Sequence, residues 1–374
     1  MLPYDVPLRG ALTTALLALV LGVAACAVPA PVTSTPVPSP SVMESDPPPS
    51  AHSTPTPAPT AAPSDPGGPH VAAGLALVRA PDAQSPRTEI FVVEAEGTQR
   101  QVSGLGGETT GAAGPVWSPD GRIIGFGPSI LASGTFPAMI VVNADGTGQR
   151  LIKQLDVEEF SRAAWSSDGR FILYSDATPP GDRRIWLTDL SNGETARIGT
   201  GSHPRWLNGD RQISFSNGVA GRVPGQAQAL TMVVFVMDRE DLVPLEFAEA
   251  DNANWAPDGA AVLIETEGIL ILADANGSGG RVVAHGGQAV WSPDGSRFVF
   301  QSGSDANGRA LLALMDADGN ELWSDVVGSL PAWSPDGTRL AVDISHPDQM
   351  VRVLDASNGE QLWETAGAHP AWRP

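Results

Sequence analysis

From residue 71 onward, short apolar runs alternate with clusters of Gly, Pro, Asp, Asn and Ser. Runs such as Arg297-Phe298-Val299-Phe300 and Phe171-Ile172-Leu173-Tyr174 are too short for helices and rich in β-branched and aromatic residues, so they predict strands. A second set, including Ala138-Met139-Ile140-Val141-Val142 and Gly268-Ile269-Leu270-Ile271-Leu272, ends in Asn143-Ala144-Asp145-Gly146, Asp274-Ala275-Asn276-Gly277 and their kin. Asp, Asn and Gly tolerate positive φ, so these tetrads predict hairpin turns. Because the runs are apolar at successive positions, both faces of each strand are expected to be buried.

The pattern repeats around tryptophan. Trp117, Trp291 and Trp333 open Trp-Ser-Pro-Asp-Gly segments; Trp165 and Trp255 open near copies, Trp206 a degenerate one and Trp372 a shortened one. Proline presets φ for the turn, the aspartate (Asp120, Asp168, Asp258, Asp294, Asp336) folds back on nearby backbone, and Gly accepts the left-handed region. The tryptophans are spaced by 48, 41, 49, 36, 42 and 39 residues. Their mean of about 42 is the period of a four-stranded propeller blade.

Residues 71–103 supply three strands with no tryptophan strand before them, and Trp372 ends a strand with no blade after it. Pairing the two ends closes a ring and removes both exposed sheet edges. The expected fold is therefore all-β: a seven-bladed β-propeller of four-stranded antiparallel blades, closed by its N- and C-terminal strands. Six or eight blades stay open, because the Trp206 copy is degenerate. The domain reading is 1–25 signal peptide, 26–70 linker and 71–374 propeller.

The Trp-Ser-Pro-Asp-Gly repeat resembles the WD40-like propeller repeat of the TolB type and covers the whole of 71–374. TolB proteins carry a separate N-terminal domain ahead of six blades, so their role in binding a peptidoglycan-associated lipoprotein is not carried over. The oligogalacturonate lyases, which the chain also resembles in fold, hold a metal on funnel histidines. No tight His-x-His cluster matches theirs.

Arg9 precedes an apolar run from Ala11 to Ala25, a secretory h-region shorter than the about 20 residues of a membrane span. Val23-Ala24-Ala25-Cys26 resembles a bacterial lipobox, which implies cleavage before Cys26 and lipidation of it. An ordinary cleaved signal with a free Cys26 is the alternative. Residues 27–70 are dominated by Pro, Ser, Thr and Ala. Such a stretch cannot bury a core and reads as an extended spacer reaching roughly 100 Å.

Net charge is −20, which excludes a protein that grips nucleic-acid phosphates. Cys26 is the sole cysteine, so intrachain disulfides and thiolate zinc sites are excluded. No Gly-x-Ser-x-Gly elbow, His-Glu-x-x-His or phosphate loop occurs. Asp316-Ala317-Asp318-Gly319 has the look of a calcium loop but lacks its closing ligands, and recurs as a hairpin turn.

His203 and His369 both stand three residues before a tryptophan and are the candidate funnel residues, whereas His285 is out of that register. In an up-and-down blade the Ser-Pro-Asp-Gly turns and Asp-Gly hairpins share one face. Longer loops (128–137, 176–183, 216–230, 302–309) share the other with these histidines, and variable loops on a rigid ring are where binding concentrates. The resulting expectation is a non-catalytic, monomeric cell-envelope lipoprotein without cofactor or metal, in the periplasm or at the cell surface. It would be held to the membrane by its lipid only and bind an envelope protein, a glycan or a small ligand. The alternatives are a metal-assisted, carbohydrate-active enzyme working in the funnel and a small-solute sensor.

Overall fold

The computed structural model describes residues 72–82, 85, 88–104, 109–131, 138–154, 159–160, 163–178, 182–220, 230–344 and 349–374. Cys26, the expected signal segment and the spacer lie outside them, as do 132–137, 179–181 and 221–229 of the long loops.

Every described strand belongs to one of seven antiparallel sheets, and no helix occurs among the described residues. The molecule is a seven-bladed β-propeller. Blade 1 has the order Ala368–Trp372, Leu75–Arg79, Glu89–Val93, Gln99–Gln101, so the last strand of the chain is its innermost member. Leu75 faces Trp372 and Ala76 faces Ala371 across that seam.

Blades 2 to 7 follow in chain order, and their innermost strands carry Trp117, Trp165, Trp206, Trp255, Trp291 and Trp333 at or next to their last residue. Blade 3 keeps its innermost strand in two pieces, Glu159–Phe160 and Ala164–Trp165. Blade 4 is Ser202–Leu207, Gln212–Ala220, Leu230–Asp238, Pro244–Glu249, and blade 5 is Asn252–Trp255, Ala261–Thr266, Ile269–Asp274, Arg281–His285.

Two-residue periodicity explains the ring. Leu75 and Leu77 point into a core shared with Ala341, Val351 and Val353 of blade 7. Ala76 and Val78 point the other way, into a core shared with Ile124, Phe126 and Val142 of blade 2. The inner strands of a blade are thus buried on both faces, as Leu75–Arg79 and Glu89–Val93 are, whereas outermost strands such as Gln361–Ala366 are largely exposed. Each large apolar side chain buried gains roughly 1.5–3 kcal/mol. This is why the apolar runs are continuous rather than alternating.

The tryptophans couple neighbouring blades by hydrogen bond as well as by area. Trp117 Nε1 donates to Ala371 O (3.1 Å), Trp165 to Val116 O (3.4 Å), Trp206 to Ala164 O (3.0 Å), Trp291 to Asn254 O (3.0 Å), Trp333 to Val290 O (3.2 Å) and Trp372 to Ala332 O (3.1 Å). The acceptor in each case is the residue just before the preceding blade's tryptophan. Trp255 departs from this rule: its Nε1 donates at 2.9 Å to Ala275 O in the hairpin of its own blade.

Candidate functional site

The antiparallel order puts the Trp-Ser-Pro-Asp-Gly turns and the Asp-Gly hairpins at one end of the ring. The entries to the innermost strands, with the described loop 302–309, lie at the other. The tight-turn end is built by a relay that sequence reasoning credited to aspartate alone. The Ser292 hydroxyl donates to Asp294 Oδ1 at 2.6 Å and accepts the Arg297 N–H at 3.0 Å. Ser118 with Asp120, Ser166 with Asp168, and Ser334 with Asp336 repeat the 2.6 Å bond. All four serines are buried.

Serine therefore links turn to strand, and its place beside tryptophan in each good copy was the available signal. Asp258 has Ala256 in that place and accepts only the Ala260 N–H, at 2.9 Å. Hydrogen bonds from the Ser292 hydroxyl, then from the Ser296 N–H and hydroxyl, hold the Asp294 carboxyl at about 2. Asp120 and Asp168 are lowered first by Ser118 and Ser166 respectively. Asp316 accepts from the N–H and side-chain amide of Asn320, both at 2.8 Å, and closes a hairpin. These carboxylates serve the turns that carry them.

At the long-loop end a second device repeats. In blades 1, 2, 4, 6 and 7 the innermost strand carries one residue more than its partner just before the tryptophan. The extra residue bends the strand in a β-bulge, a feature that re-aims side chains at binding sites. A left-handed residue occupies it each time: His369 (φ 53°), Gly114 (59°), His203 (53°), Gln288 (55°) and Leu330 (47°). Such a conformation is uncommon outside glycine and costs of order 1–3 kcal/mol.

Buried carboxylates brace this rim. Asp343 of blade 7 accepts the His369 N–H with both oxygens, at 2.8 and 3.1 Å. Glu265 of blade 5 accepts the Ala289 N–H at 2.7 Å, beside Gln288, and the Asn254 amide at 3.3 Å. In blade 3 the buried Asp176 takes a two-pronged contact from Arg184, at 2.8 and 3.0 Å, and the Trp186 indole at 2.7 Å.

His203 and His369 thus occupy equivalent bulge positions, on blades 4 and 1, with blades 2 and 3 between them. Gln288 and Leu330 belong to the same rim and were missed, although the count of three residues before tryptophan would have found them. His285 ends the outer strand of blade 5, and His346 lies outside the described residues. Among the described residues no group of three His, Cys, Asp or Glu is placed to hold a metal ion.

Solved structures share this fold. TolB from Acinetobacter baumannii superposes with a TM-score of 0.51 at 14% identity, over 77% of this chain and 79% of that one. Oligogalacturonate lyase from Vibrio parahaemolyticus gives 0.50 at 16%, over 69% and 80%. An oligogalacturonate lyase in complex with manganese gives 0.51 at 15%, over 75% and 83%. No family model matches the sequence, and no curated protein matches it. At these identities the likeness establishes the class of protein, a β-propeller with TolB-like and lyase-like neighbours, and the fold alone.

Proposed function

We propose that the chain is a non-catalytic binding propeller of the cell envelope, anchored by lipid on Cys26, whose ligand or partner docks on the long-loop rim. Another envelope protein, a glycan or a small ligand is the class of occupant. The observation that carries this reading is the repeated bulge. Strained residues of mixed chemistry, two imidazoles, an amide and an aliphatic group, recur at one ring position and are braced from behind by Asp343 and Glu265. Such bracing keeps the rim in one geometry before a ligand arrives, which reduces the ordering cost of binding. The sequence Val23-Ala24-Ala25-Cys26 supports the anchor.

The manganese held in one lyase neighbour finds no matching donor set among the described residues here. His203 and His369 stand on non-adjacent blades, and no third ligand joins either of them.

The test is capture of partners from envelope extracts by the intact protein, with thermal-shift screening against sugars. A His203→Ala/Gln288→Ala/His369→Ala variant, and separately a deletion of 219–228, should lose the recovered partner or ligand while melting close to the parent. Capture that survives both changes would overturn the placement. Failure of the parent to capture anything specific would overturn the binding role.

A further inference from the structure

The seam between blades 4 and 5 is built differently from the rest. Blade 5 begins without the bulge: Asn252 to Trp255 pair with Glu265 to Val262 in unbroken register. Its indole also turns away from blade 4 to Ala275 O, as described above. At the seam between blades 6 and 7 the equivalent hairpin carbonyl, Ala356 O, is taken at 3.1 Å by Trp323 from the outer strand of blade 6. In blade 4 the residue paired with Val236 at that outer-strand position is Leu245. Phe247 of blade 4 instead packs against the Trp255 ring, at 4.8 Å between centroids.

Displacement of the indole leaves a slot. Arg297, the first residue of its strand, covers Trp333 of the next blade at 5.2 Å and bonds Gly337 O at 2.8 Å. Its counterpart in blade 4 is Gln212, which lines an open groove of about 500 Å³ with Val236, Asp238, Asp241, Val243, Glu246 and Phe247. Val236 and Asp238 share a sheet face with Val234, which is buried against Val262 and Ile264 of blade 5. The groove therefore lies on the side of blade 4 that faces blade 5, at the tight-turn end.

Its lip is also unusual. Leu242 N donates to Asp238 O at 2.9 Å, as Gly193 and Gly359 donate to Asp189 and Asp355 in the matching hairpins of blades 3 and 7. A leucine at φ 53° thus stands where those turns use glycine. It is 37% exposed, and the adjoining Val243 is 60% exposed. An apolar lip at a left-handed position works against turn formation and solubility, which points to a role in contact.

We infer that this slot receives an aromatic side chain from a basic segment of a partner protein. The incoming ring stands in for the wedge that the other six seams take from the chain's own tryptophans. Val236, Val243 and Phe247 provide the apolar walls, and Leu242 stands at the lip between the lining residues Asp241 and Val243. Asp238, Asp241 and Glu246 set a negative rim that selects arginine or lysine beside the ring and penalises acidic neighbours. The site lies at the opposite end of the ring from the bulge rim and stands independently of the proposal made there.

Fluorescence anisotropy of two labelled synthetic peptides tests it on the full chain. One has a central tryptophan flanked by arginines, and its twin has glutamates in their place. The arginine peptide should bind saturably, at least about tenfold more tightly than its twin, and weaken as salt rises from about 50 to 500 mM. Gln212→Trp, which fills the slot, and Leu242→Gly, which removes the apolar lip, should each reduce binding at least about tenfold. Leu242→Gly should melt at or above the parent, because glycine relaxes the left-handed turn.

Absence of binding at millimolar peptide, equal binding of the twins, or binding retained in Leu242→Gly would overturn the inference. Concentration-dependent dimerisation lost in Leu242→Gly would assign the groove to a second copy and overturn it as well. Should Gln212→Trp fail to fold, Leu242→Gly alone decides.

Discussion

The indole of Trp117 and the carbonyl of Ala371 meet at 3.1 Å although 254 residues separate them in the chain. That bond joins the first complete blade to the strand that closes the ring, and it is one of six built alike. Trp117→Phe keeps most of the buried area and loses the donor, so a stability loss of about 1 kcal/mol is expected. Trp117→Ala opens a cavity between blades 1 and 2 and should cost about 3–5 kcal/mol. Removing residues 368–374 strips blade 1 of its innermost strand and should abolish cooperative unfolding. Urea denaturation followed by circular dichroism distinguishes the three.

The serine relay predicts changes of opposite sign in two blades. Ser292→Ala leaves the Arg297 N–H without its partner in a partly buried turn, and should destabilise by about 1–3 kcal/mol. Ala256→Ser installs the hydroxyl that blade 5 lacks beside Asp258, and should stabilise by about 1 kcal/mol. Differential scanning calorimetry of the two variants measures both.

Acid should weaken the protein through the same turns. The folded pKa of Asp294 lies at about 2, below its usual value of 3.8, and Asp120 and Asp168 shift in the same direction. As pH drops below about 4, the unfolded chain binds more protons than the folded one. The stabilisation is thus complete above about pH 4 and is lost as pH falls through the folded pKa. Melting temperatures from pH 6 to 2 should be flat at first and then decline, and Asp294→Asn should make the decline shallower. Solvent screening keeps each contribution small.

Bracing of the rim can be tested without touching it. Asp343→Leu removes both acceptors of the His369 N–H and should cost about 1–3 kcal/mol. Asp343→Asn keeps one oxygen and should recover part of that loss. Chemical denaturation of the two variants gives the ranking.

The proposed lipid anchor makes a prediction in the cell. Cys26→Ser should move the protein from the membrane pellet to the soluble fraction and abolish incorporation of labelled fatty acid. Continued sedimentation with membranes would assign the attachment to another feature.

The architecture was legible in one dimension because each blade is a local unit. Trp333, Pro335, Asp336 and Gly337 lie within five consecutive residues, and the hydrogen bonds from the Ser334 hydroxyl and the Thr338 N–H to Asp336 that shape their turn are local. Counting from tryptophan to tryptophan therefore pointed to seven blades with six or eight still open, the seven sheets decided among them, and an unmatched strand at each end predicted the closure that Leu75 and Trp372 make. The same count placed His203 and His369 in equivalent positions.

What tertiary structure decided lies between blades. Whether an indole reaches back to its neighbour, as Trp291 does to Asn254, or turns to its own hairpin, as Trp255 does to Ala275, depends on side chains of the adjoining blade such as Phe247. The bulges at Gln288 and Leu330 depend on the register between paired strands. Asp343 and Glu265 appear in sequence as two acidic residues among many, and only packing of one blade on the next turns them into buried acceptors for His369 and Ala289. Local turn chemistry and hydrophobic period are properties of adjacent residues. The fit of one sheet on another belongs to residues that the chain keeps apart and the ring brings together.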